Sequence, residues 1–330
     1  MKKRTIGTLE VSAIGYGCMG LSHGYGATPI KDDSIKLIHN AFDMGCTFFD
    51  TAEGYAFGQN EELLGEAVSS FRDKVVIATK FGGPKVVGTH LEPQELTPEE
   101  IRKHCEDSLR RLRTDHIDLY YQHRVSEKVT VEEVAGCISE LIKEGKVLEW
   151  GLSQPTADQI RRAHAVCPIA SVQSEYSMME RYVEEEVLPV CKELNISLVP
   201  FSPLASGFLS GKYKADTVYQ GDDVRRFITR FDNENVRKNQ PLLQLIEEFA
   251  VRKNATYAQI ALAWLMAKDS HIVPIPGGRK IQRMQENFSA ADIEFKPEEF
   301  AELDRCLHDI TIYGDRRDED IVFQSNTVAK

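Results

Sequence analysis

Four side chains able to move or hold a proton stand at, or just past, the ends of apolar runs in this 330-residue chain. Thr47-Phe48-Phe49 runs into Asp50, and a phenol follows five residues later at Tyr55. The run beginning at Val75 ends on Lys80, and the run from His116 ends on His123. A phenol has an unperturbed pKa near about 10, so at neutral pH it is protonated but a slow acid. An adjacent ammonium stabilises the phenolate and eases proton transfer. A carboxylate would in turn anchor that ammonium, since a buried, unpaired ammonium tends to lose its proton. An imidazole can donate a hydrogen bond to an oxygen in the same place. Any one polar strand end is ordinary where the chain reaches water. Asp, Lys and His on three consecutive strands, with Tyr55 just beyond the first, indicate one shared rim.

The elements that would build such a rim are legible as apolar runs alternating with helical periods. Strands are expected at 11–17, 47–50, 74–80, 116–123, 146–153, 170–176, 196–202 and 271–277. Between them, Ile101, Cys105, Leu109 and Leu112 share one helix face. Val131, Val134, Ala135, Ile138, Leu141 and Ile142 share another, as do Tyr257, Ile260, Ala261, Trp264 and Leu265. Thr97 followed by Pro98 reads as an N-cap and first turn. Eight strands alternating with helices imply parallel strands and right-handed crossovers, in a closed (β/α)8 barrel or an open doubly wound sheet. Gly15, Gly17 and Gly20 spell GxGxxG, but the next helix begins only near Asp32 or Asp33, after the loop-like LSHGYGATPI. The dinucleotide fingerprint needs its glycines to open a helix directly, so that reading is rejected. Strands ending on Asp50, Lys80, His123, Ser153 and Ser202 favour the barrel, whose chemistry gathers at one rim.

Composition sets the outer bounds. The chain has a net charge of −11 and 42% apolar residues, enough for one large core, and an α/β barrel is commonly one domain. The domain expected is a single barrel, core at about 5–290, with a C-terminal helix and tail over 291–330. The acidic balance argues against nucleic acid or an anionic membrane as partner. MKKRTIGTLEVSAIG has charges but no continuous apolar run, so no leader is expected. Seven scattered cysteines without CxxC read as reduced thiols of a cytoplasmic protein, and nine histidines without ligand spacing suggest no metal.

Taken together, these blocks resemble the aldo-keto reductases. GCTFFDTAEGY (45–55), GQNEELLGEAV (58–68), VVIATKFG (75–82), DLYYQHR (118–124), WGLS (150–153) and VQSEY (172–176) are similar to that family's signatures. FSPLASGFLSGK (201–212) and IPGGRKIQRMQEN (275–287) continue them in family order, so the resemblance spans about residues 5–290. It implies a (β/α)8 TIM barrel with a short N-terminal β-hairpin and extra C-terminal helices. It also implies NADPH along the C-terminal rim, and a catalytic tetrad of Asp50, Tyr55, Lys80 and His123. The reaction implied is reduction of an aldehyde or ketone, with Tyr55 as the acid, Lys80 lowering its pKa, Asp50 anchoring Lys80 and His123 polarising the carbonyl.

The resemblance also assigns a cofactor set. Met19, Gly20 and Asp50 belong to it. Ser153 and Gln173 match positions that hold the carboxamide, and Phe201 stands where an aromatic, usually Tyr or Trp, stacks on the nicotinamide. Ser202, Leu204, Gly207 and Lys212 match the segment that covers the pyrophosphate. Gly277, Arg279, Lys280, Arg283, Glu286 and Asn287 match the adenosine end. Three cations beside a Gly-Gly turn at a helix start suit a phosphate, and favour NADPH over NADH. Four positions depart from the family pattern, Gln154 at a cofactor position and the other three where they bear on the substrate. Gln154 replaces the more usual Asn or Glu, and Ala56 follows Tyr55 where glycine is common. Met178 and Met179 replace residues often aromatic. Rim loops are expected at Lys85–Leu96 and Tyr213–Gln240, with a tail after Asp309 that could fold over the pocket. A regulatory protein on the same fold, like the channel β subunits, is the alternative, although no inactivating N-terminal tail is expected from the residues before the barrel. Substrate identity and oligomeric state stay open.

Overall fold

The computed structural model describes residues 1–83, 85–87, 90–92, 94, 96–126 and 128–316. Strands β1 (Lys3–Ile6) and β2 (Leu9–Ser12) make an antiparallel hairpin. The chain then alternates through β3 (Tyr16–Gly17), α1 (Lys31–Asp43), β4 (Phe48–Asp50), α2 (Gln59–Val68) and β5 (Val76–Phe81). A second hairpin, β6 (Lys85–Val87) with β7 (His90–Glu92), precedes α3 (Pro98–Leu112) and β8 (Ile117–Gln122). Next come α4 (Val131–Lys143), β9 (Val147–Ser153), α5 (Ala157–Val166), β10 (Ser171–Glu175), α6 (Val187–Glu193) and β11 (Ser197–Phe201). Five helices complete the described chain: α7 (Asn233–Lys238), α8 (Gln240–Lys253), α9 (Tyr257–Lys268), α10 (Ile281–Ser289) and α11 (Pro297–His308). Thr97, Thr130, Thr156 and Thr256 each close a capping box with the Glu or Gln three residues on, which fixes where α3, α4, α5 and α9 begin.

Seven parallel strands run in the order β11-β10-β9-β8-β5-β4-β3. The eighth stave is the run 271–277, and it departs from the strand expected there. Val273 and Ile275 donate to Leu198 and Pro200 of the β11 side, at 2.9 and 3.1 Å. Their neighbours Pro274 and Pro276 accept from Gly15 and Gly17 at 2.9 and 3.2 Å, but as prolines they have no N–H to return. The barrel therefore closes across a seam carrying only half of a ladder's bonds. The strand expected at 11–17 also differs, because its first two residues belong to β2 and only Tyr16–Gly17 pairs with β4.

The two-residue period of a strand decides what points inward. Phe48, Val76, Ala78, Leu119, Tyr121, Val199, Val273 and Ile275 share one buried cluster with Ile6 and Val11 of the hairpin, which fill the barrel's interior. Two residues further along the same strands, that inward face changes character. Phe48 is followed by Asp50, Ala78 by Lys80, Tyr121 by His123 and Val199 by Phe201. Ser153 ends β9 and Glu175 ends β10, with Gln173 two residues before it on the same parity; Ser153 is paired to Gln173 and Glu175 to Phe201. An apolar floor thus carries a polar rim. The glycines at 15 and 17 belong to this packing: a Cβ on Gly17 would lie 2.8 Å from the Ile275 carbonyl, so the motif serves barrel closure and opens no helix.

Candidate active site

Lys80 is the centre of the rim. Its side chain is 1% exposed, and Nζ donates to Asp50 Oδ1 at 2.5 Å and to the Thr51 carbonyl at 2.6 Å. The Tyr55 hydroxyl lies 3.4 Å from the same Nζ. Asp50 Oδ2 accepts from Gln173 Nε2 at 2.7 Å, so both carboxylate oxygens are engaged. Burial works to lower the pKa of Lys80, but Asp50 and Tyr55 outweigh it and raise it, keeping the ammonium charged. Tyr55 is reached through a chain reversal, with Ala56 and Phe57 at φ 48° and 55° before Gly58 at 87°. That left-handed run is one a glycine would adopt without cost, and Ala56 accepts strain there.

Burial raises the Tyr55 phenol above its ordinary value, and Lys80 only partly opposes this. The phenol is therefore a held proton, with a pKa higher than the lysine alone would suggest. Two rings flank it. His123 stands edge-on, its centroid 5.9 Å away, and His23 is tilted at 5.3 Å. Burial, with Arg124 and Lys80 adding to it, sends the His123 pKa well below 6.5, so its imidazole is neutral. His123 Nδ1 is buried and has no partner among the described residues. His23, burial-shifted to about 4, comes from the loop LSHGYGATPI, which carried no motif and was read only as a connection. Arg124 was equally silent; its guanidinium donates to Ser153 Oγ at 3.3 Å.

The residues assigned to a cofactor fall into three groups. Asp50, Ser153, Gln173 and Phe201 surround the mouth beside Lys80. Ser202, Leu204 and Gly207 lie on a turn in which Ser202, Ala205, Ser206 and Gly207 all have positive φ, between 47° and 94°. Lys212, Arg283 and Glu286 converge, with Lys212 Nζ and Arg283 NH1 at 3.7 and 3.2 Å from Glu286 Oε2. Asn287 ties this helix to the Gly277 carbonyl at 3.4 Å, and Lys280 is exposed at the N-cap of α10, whose first turn carries no acid. A helix start with cations and no carboxylate in its first turn suits an anion. Arg279 stands apart from them. Its guanidinium donates to the carbonyls of Gly20, Tyr25, Gly26 and Ala27, clamping the loop that holds Met19, Gly20 and His23. Met178 and Met179, just past the C-terminal end of β10, are buried in the hydrophobic core. Among the described residues no cluster could hold a metal ion, and no helix is long and apolar enough to cross a membrane.

A (β/α)8 barrel with an acid–base constellation at the C-terminal ends of its strands belongs to the enzymes that work at that rim. The Aldo/keto reductase family model matches residues 13–308, and the chain belongs to that family of oxidoreductases. It is 42% identical over 298 residues to the probable aldo-keto reductase 1 of Glycine max, covering 89% of this chain and 85% of that protein. A glycerol dehydrogenase from Gluconobacter oxydans superposes with a TM-score of 0.85 at 26% identity, covering 94% of this chain and 96% of its own. An aldo-keto reductase from Klebsiella pneumoniae, solved in complex with NADPH, gives 0.71 at 26% identity over 92% and 95% of the two chains.

Proposed function

We propose that this chain reduces the carbonyl of an aldehyde or ketone with NADPH, and that Tyr55 protonates the oxygen. The observation that carries the reading is the chain of contacts from Gln173 of β10, across the barrel mouth to Asp50 of β4, to Lys80 of the adjacent β5, and to the Tyr55 hydroxyl. The residues fit the cofactor: the α10 start offers Arg283 and Lys280, and the strands beside Lys80 offer Ser153, Gln173 and the face of Phe201. NADPH, when bound, supplies the hydride. The chain supplies the rest. Tyr55 keeps its proton until negative charge develops on the oxygen beside it, because burial disfavours the phenolate. Lys80, fixed by Asp50, then stabilises that phenolate. His123, neutral and buried, can donate a hydrogen bond to the same oxygen. In this reading the whole described chain serves as one barrel domain.

The test is loss of NADPH absorbance with a panel of small aliphatic and aromatic aldehydes and ketones, for the native chain and for Tyr55→Phe. Removing the hydroxyl should lower kcat by about 10²–10⁴ while leaving NADPH affinity nearly unchanged. A variant retaining more than half the native rate rules Tyr55 out as the acid. Tight NADPH binding without turnover on any carbonyl points instead to a sensor.

A further inference from the structure

Past α11 the chain is fastened across the rim to the long insertion that follows β11. The buried side-chain amide of Asn239 accepts from the N–H of Tyr313 at 2.9 Å and donates to its carbonyl at 2.8 Å. Two residues on, the Thr229 hydroxyl does the same for Asp315, accepting at 2.7 Å and donating at 3.2 Å. Gly314 lies flat between these anchors at φ +87°, and a Cβ there would meet the backbone nitrogen of Arg230 at 2.6 Å. A segment this specifically paired is a strap, and it delivers Arg316 to the barrel mouth. The Arg316 guanidinium sits 4.9 Å from the Phe201 ring centroid, and NH1 donates to Ser202 Oγ at 2.5 Å. Its Nε lies 3.8 Å from Glu175 Oε2.

We infer that Arg316 is a cofactor-positioning residue, by which the C-terminal strap completes the NADPH groove at Phe201 and Ser202. This rests on the assignment of those two residues to the cofactor. A hydroxyl both accepts and donates. With Arg316 NH1 on one lone pair of Ser202, the remaining proton is left to donate to a phosphate oxygen. The guanidinium adds positive charge beside a group that carries negative charge, and a charge-assisted bond is the stronger kind. On the ring, the guanidinium holds one face of Phe201 by a cation–π contact and so fixes the tilt of the other. Glu175 is shared between Arg316 and Arg230, whose NH1 lies at 3.2 Å. Glu175 and Glu180 thus face Arg230 and Arg316 together.

The experiment compares Arg316→Ala, Arg316→Lys and Thr229→Val with the native chain by fluorescence titration of NADPH and stopped-flow release. Thermal melts establish that each variant is folded. Arg316→Ala should weaken NADPH about 5- to 30-fold, chiefly through faster release. Arg316→Lys, which keeps the charge without the planar fork, should recover part of that loss. Thr229→Val loosens the strap without touching the groove, so it should weaken NADPH in the same direction. Combined with Arg316→Ala it should add little beyond the single change. With aldehyde saturating, the KM for NADPH should rise while kcat stays within about twofold. Arg316→Ala binding NADPH as tightly as the native chain, or more tightly, overturns this inference alone, and tighter binding would make Arg316 a plug. A native chain that binds no NADPH overturns the cofactor reading as well.

Discussion

Arg283 and Lys212 converge on one carboxylate, Glu286, although they come from opposite sides of the groove. The carboxylate holds both cations in place, so a 2′-phosphate bound beside them would find them already oriented. Hydrogen bonds to charged groups contribute about 1.5–3 kcal/mol each, which is roughly 10- to 150-fold in affinity. Arg283→Ala should therefore weaken NADPH by about that factor and NADH much less. Equal weakening of both would mean that Arg283 supports the groove generally without reading the phosphate. At this scale Arg279 shows what a motif leaves open. IPGGRKIQRMQEN offers it as a third phosphate ligand; in the fold its Nε and NH1 are held by four loop carbonyls, while NH2 is buried without a partner among the described residues. A cation's sequence neighbours show that charge is available. They do not show which acceptors lie within reach.

The helices are where local sequence rules and tertiary packing can be separated by paired substitutions. Gly65 in α2 lies against the end of α3, and a Cβ on it would fall 2.5 Å from the Leu112 carbonyl oxygen. That neighbour is backbone and cannot rotate away. Gly65→Ala should cost at least about 1–3 kcal/mol, as overpacking does. Gly136 in α4 is also helical, but nothing lies within 4 Å of a Cβ there. Gly136→Ala should stabilise by up to about 1 kcal/mol, the helix-propensity difference. Urea denaturation of both variants checks the pair, and the same sign in both would refute the packing account. Helix starts were legible because a capping box spans only four residues, as at Thr97. The close approach of α2 to α3 left no such mark, because it joins residues far apart in the chain.

For the molecule as a whole, two neutral imidazoles packed on Tyr55 make stability depend on pH. Burial lowers His23 from 6.5 to about 4, with Asp222 opposing and Arg279 assisting, and drives His123 well below 6.5. Unfolded, both titrate near about 6.5. Between pH 6.5 and about 4 the unfolded chain therefore binds more protons than the folded one. The contribution is fully present above pH 6.5 and is lost as the pH falls toward the folded value. His23 should account for roughly 1–2 kcal/mol of the loss between pH 7 and 5, allowing for its partial exposure. His23→Gln should flatten the decline of Tm over that interval. An unchanged slope would mean that His23 titrates in the fold as it does in the unfolded chain.

The sequence by itself determined the alternation of strands and helices and the rim shared by Asp50, Lys80 and His123, although β5 runs on to Phe81 and β8 stops at Gln122. It could do so because a strand's inward face repeats every two residues and its terminus is marked where apolar side chains stop. It also placed Tyr55 within a short loop of Asp50, a distance the chain itself fixes. Only the tertiary structure decided the rest. The seam at Pro274 and Pro276 closes against Gly15 and Gly17, nearly the full length of the chain away. His23 reaches Tyr55 because Arg279 clamps its loop, and Arg316 meets Ser202 across 114 residues of sequence. The physical reason is the same in each case. A local pattern says which face a side chain turns toward, and the partner on that face is chosen by chain segments that only the folded barrel brings within a hydrogen bond.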